Sequence, residues 1–290
     1  MEFSNTKGFI QLDFLLKSKT AEQLYFQYAE AMPVIDYHNH LSPEIIAKNQ
    51  PFRDINAVWL DGDHYKWRAM RTLGIEEKFI TGNASSKEKF DQWAKTVPYT
   101  VGNPLFHWTH LELKRYFNIS DLLQPSSSDA IFEETNHQLK SLLPNQMLKN
   151  MKVEMLCTTD DPIDDLKHHQ QIKKNNFVPK VLPGFRPDKI FGINTEDYLD
   201  YLNALADSSG VNINSLQTLL DALKSRITYF HENGCRISDH GLEYTYASDY
   251  SLKAVDASLK KRISGKKISE EDTLAFNSCV LFELFVMYHE

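Results

Sequence analysis

Two histidines one residue apart, His38 and His40, close the run "VIDYHNHL" at positions 34–41. Side chains at i and i+2 of an extended segment share a face. Two neutral imidazoles there can grip one divalent ion, zinc first and manganese second. Asp36 shares that face and Asn39 does not. The competing reading is a pair of histidines hydrogen-bonded to neighbours with no metal. Context favours the metal: "VID" reads as a strand, and "LSPEIIA" opens a helix with Ser42 as N-cap, Pro43 at the first helical position and Glu44 in the first turn.

Three further groups carry chemistry. "DGDHYKWRAMR" (61–71) sets Tyr65 among cations. A phenol becomes an acid or base once nearby positive charge favours its phenolate. The plainer reading is an exposed helix start, capped by Asp63, that buries Trp67, Met70 and Leu73. "PGFRPD" places Arg186 before a proline, where its planar fork suits a carboxylate, or where it pairs with Asp188 at the surface. "CRISDHGL" carries Asp239 and His240, which face apart as strand neighbours. His168 and His169 read as solvent-facing helix residues, and Cys157 as a buried, inert thiol.

The elements that position these groups follow from periodicity. Residues 12–32 read as a helix capped by Ser18 or Thr20 and ended by Pro33. Residues 1–50 then hold that helix and a first strand, and 51–150 are a mainly helical insertion rich in aromatics, including Trp59, Trp93 and Trp108. From 151 to 290 strands and helices alternate: "KVEMLCTTDDP", a helix over 164–174, "VPKVLPGFRPD", a strong helix through "SLQTLLDALKSRITYFHENG" and "CRISDHGL". Such alternation signals a parallel sheet with right-handed crossovers. Ionisable residues stand at every strand end, the expected mark of a catalytic mouth on a parallel barrel.

Composition bounds the rest. The 290 residues are 42% hydrophobic, with 12% aromatic and a net charge of −7, which suits a folded chain with a sizeable core and no nucleic-acid footprint. The basic stretch Lys260, Lys261, Arg262, Lys266, Lys267 reads as solvated surface. Three scattered cysteines argue for reduced thiols in a cytoplasm. No apolar run reaches the ~20 residues of a membrane span, and nothing resembles a secretory signal.

"IDYHNHLSPEIIA", "DGDHYKWRAMR", "EMLCTTDDP", "PGFRPDK" and "CRISDHGL", in this order, closely resemble the uronate (glucuronate) isomerases of the amidohydrolase superfamily. The resemblance runs from "DFLL" to the end. It implies an α/β fold of the metal-dependent (β/α)8 barrel type with a helical insertion after the first strand. It implies interconversion of D-glucuronate with D-fructuronate, and of D-galacturonate with D-tagaturonate, through a cis-enediol. His38 and His40 would be metal ligands, Tyr65 and Arg186 would lie at the substrate with Tyr65 carrying the proton, and Asp239 would hold sugar hydroxyls. The implied partner is a small uronic acid, with neither nucleic acid nor membrane, and a homo-oligomer is compatible with it. Family chains are longer, and their later strands bring the aspartate that closes the metal site. The resemblance therefore implies an incomplete, C-terminally shortened barrel. Two alternatives stand beside the isomerase: a metal-dependent hydrolase of the amidohydrolase or D-x-H-x-H phosphoesterase type, and an inactive fragment.

Overall fold

The computed structural model describes residues 8–177 and 179–290. Residues 1–7 and Val178, which open the expected 1–50 segment and the second expected strand of the 151–290 region, lie outside it. Backbone contacts divide the chain into two compact units. One comprises the residues up to Pro33 together with Lys48–Lys152; the other comprises Val34–Ala47 and Val153–Glu290. The 1–50 segment therefore contributes to both.

The first unit is helical. Helix α1 (Lys19–Leu24) is capped by Ser18, whose Oγ accepts from the Ala21 N–H, and continues as a wider π turn over Tyr25–Ala29. It is shorter than the expected 12–32 because residues 12–15 form turns, with Leu15 at positive φ. After α2 (Pro43–Lys48), which ends at the boundary, come α3 (Ile55–Trp59), α4 (His64–Thr72), α5 (Ser86–Thr96), α6 (Pro104–Phe117), α7 (Ser128–Leu139) and α8 (Pro144–Asn150). Local signals start these helices: Asp54 caps α3, Asp63 caps α4, and a reciprocal Ser85–Glu88 box caps α5. Their apolar stripes meet around Phe90, Trp93, Met70 and Leu113, with Trp59 stacked on Phe90 at 6.2 Å. His110 is buried here, donating from Nδ1 to the Phe106 carbonyl and accepting the Leu123 N–H at Nε2. Both ring nitrogens are spent on main chain, and burial lowers its pKa.

The second unit is α/β. Three parallel strands, β1 (Val34–Asp36), β2 (Val153–Cys157) and β3 (Lys180–Leu182), lie in the order β1-β2-β3. Among the described residues a fourth segment joins only through a parallel bridge from Phe185 to Ser238, so "CRISDHGL" contributes one rung where a full strand was expected. The ladder continues past the formal strand ends: the Asp160 N–H donates to the Gly184 carbonyl, the Arg186 N–H to Asp160, and the Asp239 N–H to Phe185. Gly184 is required there, since a Cβ would stand 2.5 Å from the Thr158 carbonyl oxygen.

Helices α9 (Lys167–Lys174), α10 (Tyr198–Ser209), α11 (Leu216–Glu232), α12 (Leu252–Ile263) and α13 (Glu270–His289) complete this unit. Its core gathers Phe185, Leu205, Leu219, Leu223, Phe230, Phe276 and Val280. Two arginines are buried in it. Arg226 donates to the carbonyls of Pro162, Ser208 and Asp164. Arg262 donates to those of Ile193 and Thr195. Arg262 thus departs from the solvated reading of its basic stretch: main-chain carbonyls at the start of α10 needed donors, while the flanking lysines stay exposed.

Candidate functional site at the strand ends

The α/β unit brings together residues from four distant segments. Asp36 ends β1, and the turn beyond it is locked by Asn39, whose Nδ2 donates to Asp36 Oδ2 (3.1 Å) while its Oδ1 accepts the Leu41 N–H (3.1 Å). The Asn39 N–H in turn donates to the Cys157 carbonyl on β2. His38 and His40 therefore lie just past the strand, not on it. Their rings nonetheless meet edge to face with centroids 5.0 Å apart. The shared face predicted from i, i+2 spacing is present, held by a turn in place of a strand.

Arg186 and Asp239 complete the cluster. The Arg186 Nε reaches Asp188 Oδ2 at 2.7 Å, and its Nη1 stands 3.4 Å from Asp239 Oδ2. The same Asp239 oxygen lies 3.4 Å from His38 Nδ1. Both distances are ion-pair range, and this buried oxygen has no properly formed hydrogen bond. Both readings of Arg186 therefore coexist, since it pairs with Asp188 and faces the histidine cluster. Gly241 donates its N–H to the Asp188 carboxylate, and a Cβ on it would collide with the Arg186 fork. His240 turns the other way, toward Tyr288 and Phe191, and burial lowers its pKa.

Beneath these groups lies a network that sequence reasoning missed. His169 is 4% exposed and not solvent-facing. Its Nε2 is 2.8 Å from Thr158 Oγ1, which also donates to Asp160 Oδ2 at 2.6 Å. Burial pushes the His169 pKa down to about 4 and the Asp160 carboxyl up. The polar "KHHQQIKK" hid this, because the partners come from a remote strand end. Cys157 is buried as expected, and burial raises its pKa.

Tyr65 stands on α4 of the helical unit, 66% exposed, with the Arg68 guanidinium 5.7 Å from its ring centre. The capping reading of its segment holds: Asp63 accepts the N–H groups of Tyr65 and Lys66, and its other oxygen takes the Lys66 ammonium at 2.6 Å. Met70 is buried, while Trp67 and Leu73 are half-buried.

His38, His40 and the under-satisfied Asp239 oxygen are donors of the type zinc or manganese takes. Among the described residues no three His, Cys, Asp or Glu side chains form a ready metal cage. The two imidazoles thus fit as part of a ligand set.

Parallel strands with helical crossovers, and a cationic and imidazole cluster at their carboxyl ends, define an α/β protein with a candidate site at the end of its sheet. The chain belongs to the glucuronate isomerase family, whose family model matches residues 6–290. It is 49% identical over 284 residues to a uronate isomerase of Flavobacterium johnsoniae, covering 97% of this chain and 61% of that protein. A uronate isomerase of Caldicellulosiruptor bescii is 47% identical over 283 residues, again 97% of this chain and 61% of that one. The crystal structure of uronate isomerase from Thermotoga maritima superposes with a TM-score of 0.92 at 34% identity, over 97% of this chain and 62% of that chain. The chain thus spans about 61% of the length of these curated relatives. No helix among the described residues is long and apolar enough to cross a membrane.

Proposed function

We propose that this chain carries the metal-gripping and carboxylate-reading part of a uronate isomerase, on a portion of a (β/α)8 barrel. What supports this is the convergence of His38, His40, Arg186 and Asp239 at the carboxyl ends of parallel strands, in a chain of this family. The substrate is the open-chain form of D-glucuronate or D-galacturonate, the products being D-fructuronate and D-tagaturonate. The reaction moves one hydrogen from C2 to C1 and one proton from O2 to O1 through a cis-enediol. Tyr65 takes the C2 proton and returns it at C1. Arg186 holds the uronate carboxylate with its fork, and Asp239 accepts hydrogen bonds from sugar hydroxyls. His38 and His40 would hold a zinc ion, or manganese, which would polarise substrate oxygens when bound. Three free, buried cysteines fit a reducing cytoplasm. The hydrolase alternative shares the histidine pair, and the family match favours the isomerase over it.

The test is conversion of D-glucuronate to its 2-keto isomer by the zinc-supplemented protein, followed by 13C NMR. Conversion should vanish in His38→Ala and fall ~10²–10⁴-fold in Tyr65→Phe, the range for loss of an acid–base group. Conversion that survives Tyr65→Phe rejects the proton role. Zinc binding, measured by competition with a chromophoric chelator, that survives His38→Ala and His40→Ala rejects the metal assignment.

A further inference from the structure

We infer that Thr159 is the positioning residue of His40: its hydroxyl accepts the Nδ1 proton and so places the lone pair on Nε2, the nitrogen that would ligate a divalent ion. The inference rests on the metal reading above for its purpose, though not for its geometry.

The frame is set by backbone. The Asn39 N–H donates to the Cys157 carbonyl, which carries the pairing past the end of β1 to the last residue of β2. On the other side of the same segment, the N–H groups of Thr158 and Asp160 donate to Leu182 and Gly184 on the β3 side. The segment 157–160 is thus fixed from both edges. Alternation then sends Thr158 and Asp160 into the interior, where they are 2% and 5% exposed, and Thr159 to the opposite face. There its Oγ1 lies 3.0 Å from His40 Nδ1 and 3.3 Å from the Asn39 carbonyl oxygen.

A threonine hydroxyl has one proton to give. The Asn39 carbonyl can only accept. The arrangement that satisfies all three atoms has Nδ1–H donating to Oγ1 and Oγ1–H donating to the carbonyl. If the hydroxyl donated to Nδ1 instead, its approach to the carbonyl would be unmade. The chain of bonds therefore selects the Nδ1–H tautomer. Ligating imidazoles are commonly oriented through a hydrogen bond at the other ring nitrogen, and losing that bond costs 10–100-fold in metal affinity. The adjacent Thr158 cannot take this role, because its hydroxyl is committed inward to Asp160 and His169.

The experiment uses the chain with 15N-labelled histidine, above pH 8 so that the imidazole is neutral, and reads the long-range 1H–15N pattern of His40. The wild-type protein should show mainly the Nδ1–H tautomer. Thr159→Val keeps the branched shape and removes the hydroxyl. It should shift His40 toward the Nε2–H form and weaken Zn2+ binding, measured by competition with a chromophoric chelator, about 10-fold or more. Thr159→Ser should restore the pattern and bring zinc affinity back to within about threefold of wild type. A wild-type His40 that is mainly Nε2–H overturns the inference without any variant, as does a folded Thr159→Val protein with an unchanged pattern. If the tautomer responds as described but the wild-type protein binds no zinc, the positioning stands and the metal reading falls.

Discussion

The two units differ in how they spend their most closely packed charges. In the helical unit most of the ion pairs serve the elements that carry them or nearby neighbours: Asp54 and Asp63 cap helices, Lys66 pairs with Asp63 three residues away, and Arg71 pairs with Glu77, while Lys87 on α5 also reaches Asp129 on α7. In the α/β unit His38, Arg186 and Asp239 come from segments separated by most of the chain, are partly shielded, and stop short of full pairing. Local charge pairs contribute to helix formation and surface chemistry. A half-paired cluster assembled from remote segments costs free energy that folding alone does not require. That difference is the physical reason for proposing the α/β cluster as the site, and it can be tested by perturbing each unit in turn.

The largest effect belongs to the helical core. Trp93 is fully buried, with the Lys66 ammonium 5.9 Å from its ring centre. Trp93→Ala should cost about 3–5 kcal/mol in urea unfolding. Its Nε1 is buried without a hydrogen-bond partner. Trp93→Phe should therefore cost clearly less than the alanine variant, because it removes an unsatisfied donor while keeping an aromatic ring. If the two variants unfold at the same urea concentration, the indole proton has a partner after all.

The next effect compares the two buried histidines. His110 gives both nitrogens to main chain, whereas His169 faces Thr158 and Asp160, with Asp164 and His168 also acting on it. The folded pKa of His169 is near 4 against an ordinary 6.5. Between those values the unfolded chain binds more protons, so stability is fully present above about pH 6.5 and is lost as pH falls toward 4. The shift corresponds to about 3 kcal/mol at most. Asp160 acts with the opposite sign: its carboxyl is raised, so its contribution is lost as pH rises through its folded pKa. Unfolding midpoints measured from pH 4 to 7 should rise with pH in the wild type and flatten in His169→Asn. A His169→Asn profile as steep as wild type would move the acid sensitivity elsewhere.

How much of this was readable beforehand follows the same division. The strand-end residues stood out because apolar alternation stops at them and polar types begin. His38 and His40 kept their shared face even though the strand ends at Asp36, since Asn39 replaces the ladder with a turn. Helix caps at Ser18 and Asp63 were legible because capping is local. His169, Arg262 and Thr159 were not, because each is defined by a partner far along the chain, on a strand end or a loop, that no local pattern announces. The fourth strand shrank to one bridge for a related reason: strand formation needs a neighbour on which to pair, and among the described residues only Phe185 supplies it.

A smaller effect sharpens the site side. Gly241 lies where a Cβ would press on the ends of Arg186 and Asp188, both flexible side chains. Gly241→Ala should leave the unfolding midpoint close to wild type, since these ends move without displacing backbone. The Arg186 Nε–H resonance should shift as the fork leaves Asp188. If stability falls sharply instead, the Arg186–Asp188 pair is structural and the contrast between units weakens.

The smallest effect tests the helical unit's surface. Arg71 grips Glu77 through Nε at 2.9 Å and Nη2 at 2.5 Å, and Thr81 donates to the same carboxylate at 2.6 Å. The Arg71 hydrogen bonds, followed by that of Thr81, hold the Glu77 pKa down to about 2, against 4.5. A depressed carboxyl stabilises the fold above pH 4.5 and loses that contribution as pH falls toward 2. Yet the pair is solvent-exposed, where water and salt screen charge and ordering two long side chains costs entropy. Glu77→Gln should thus produce no resolvable change in the unfolding midpoint at pH 7, even though 13C titration of the wild-type carboxyl finds its pKa well below the ordinary range. A loss from Glu77→Gln as large as that from Trp93→Ala would mean that the helical unit, too, depends on a charge cluster. The distinction between locally spent and convergent charge would then fail.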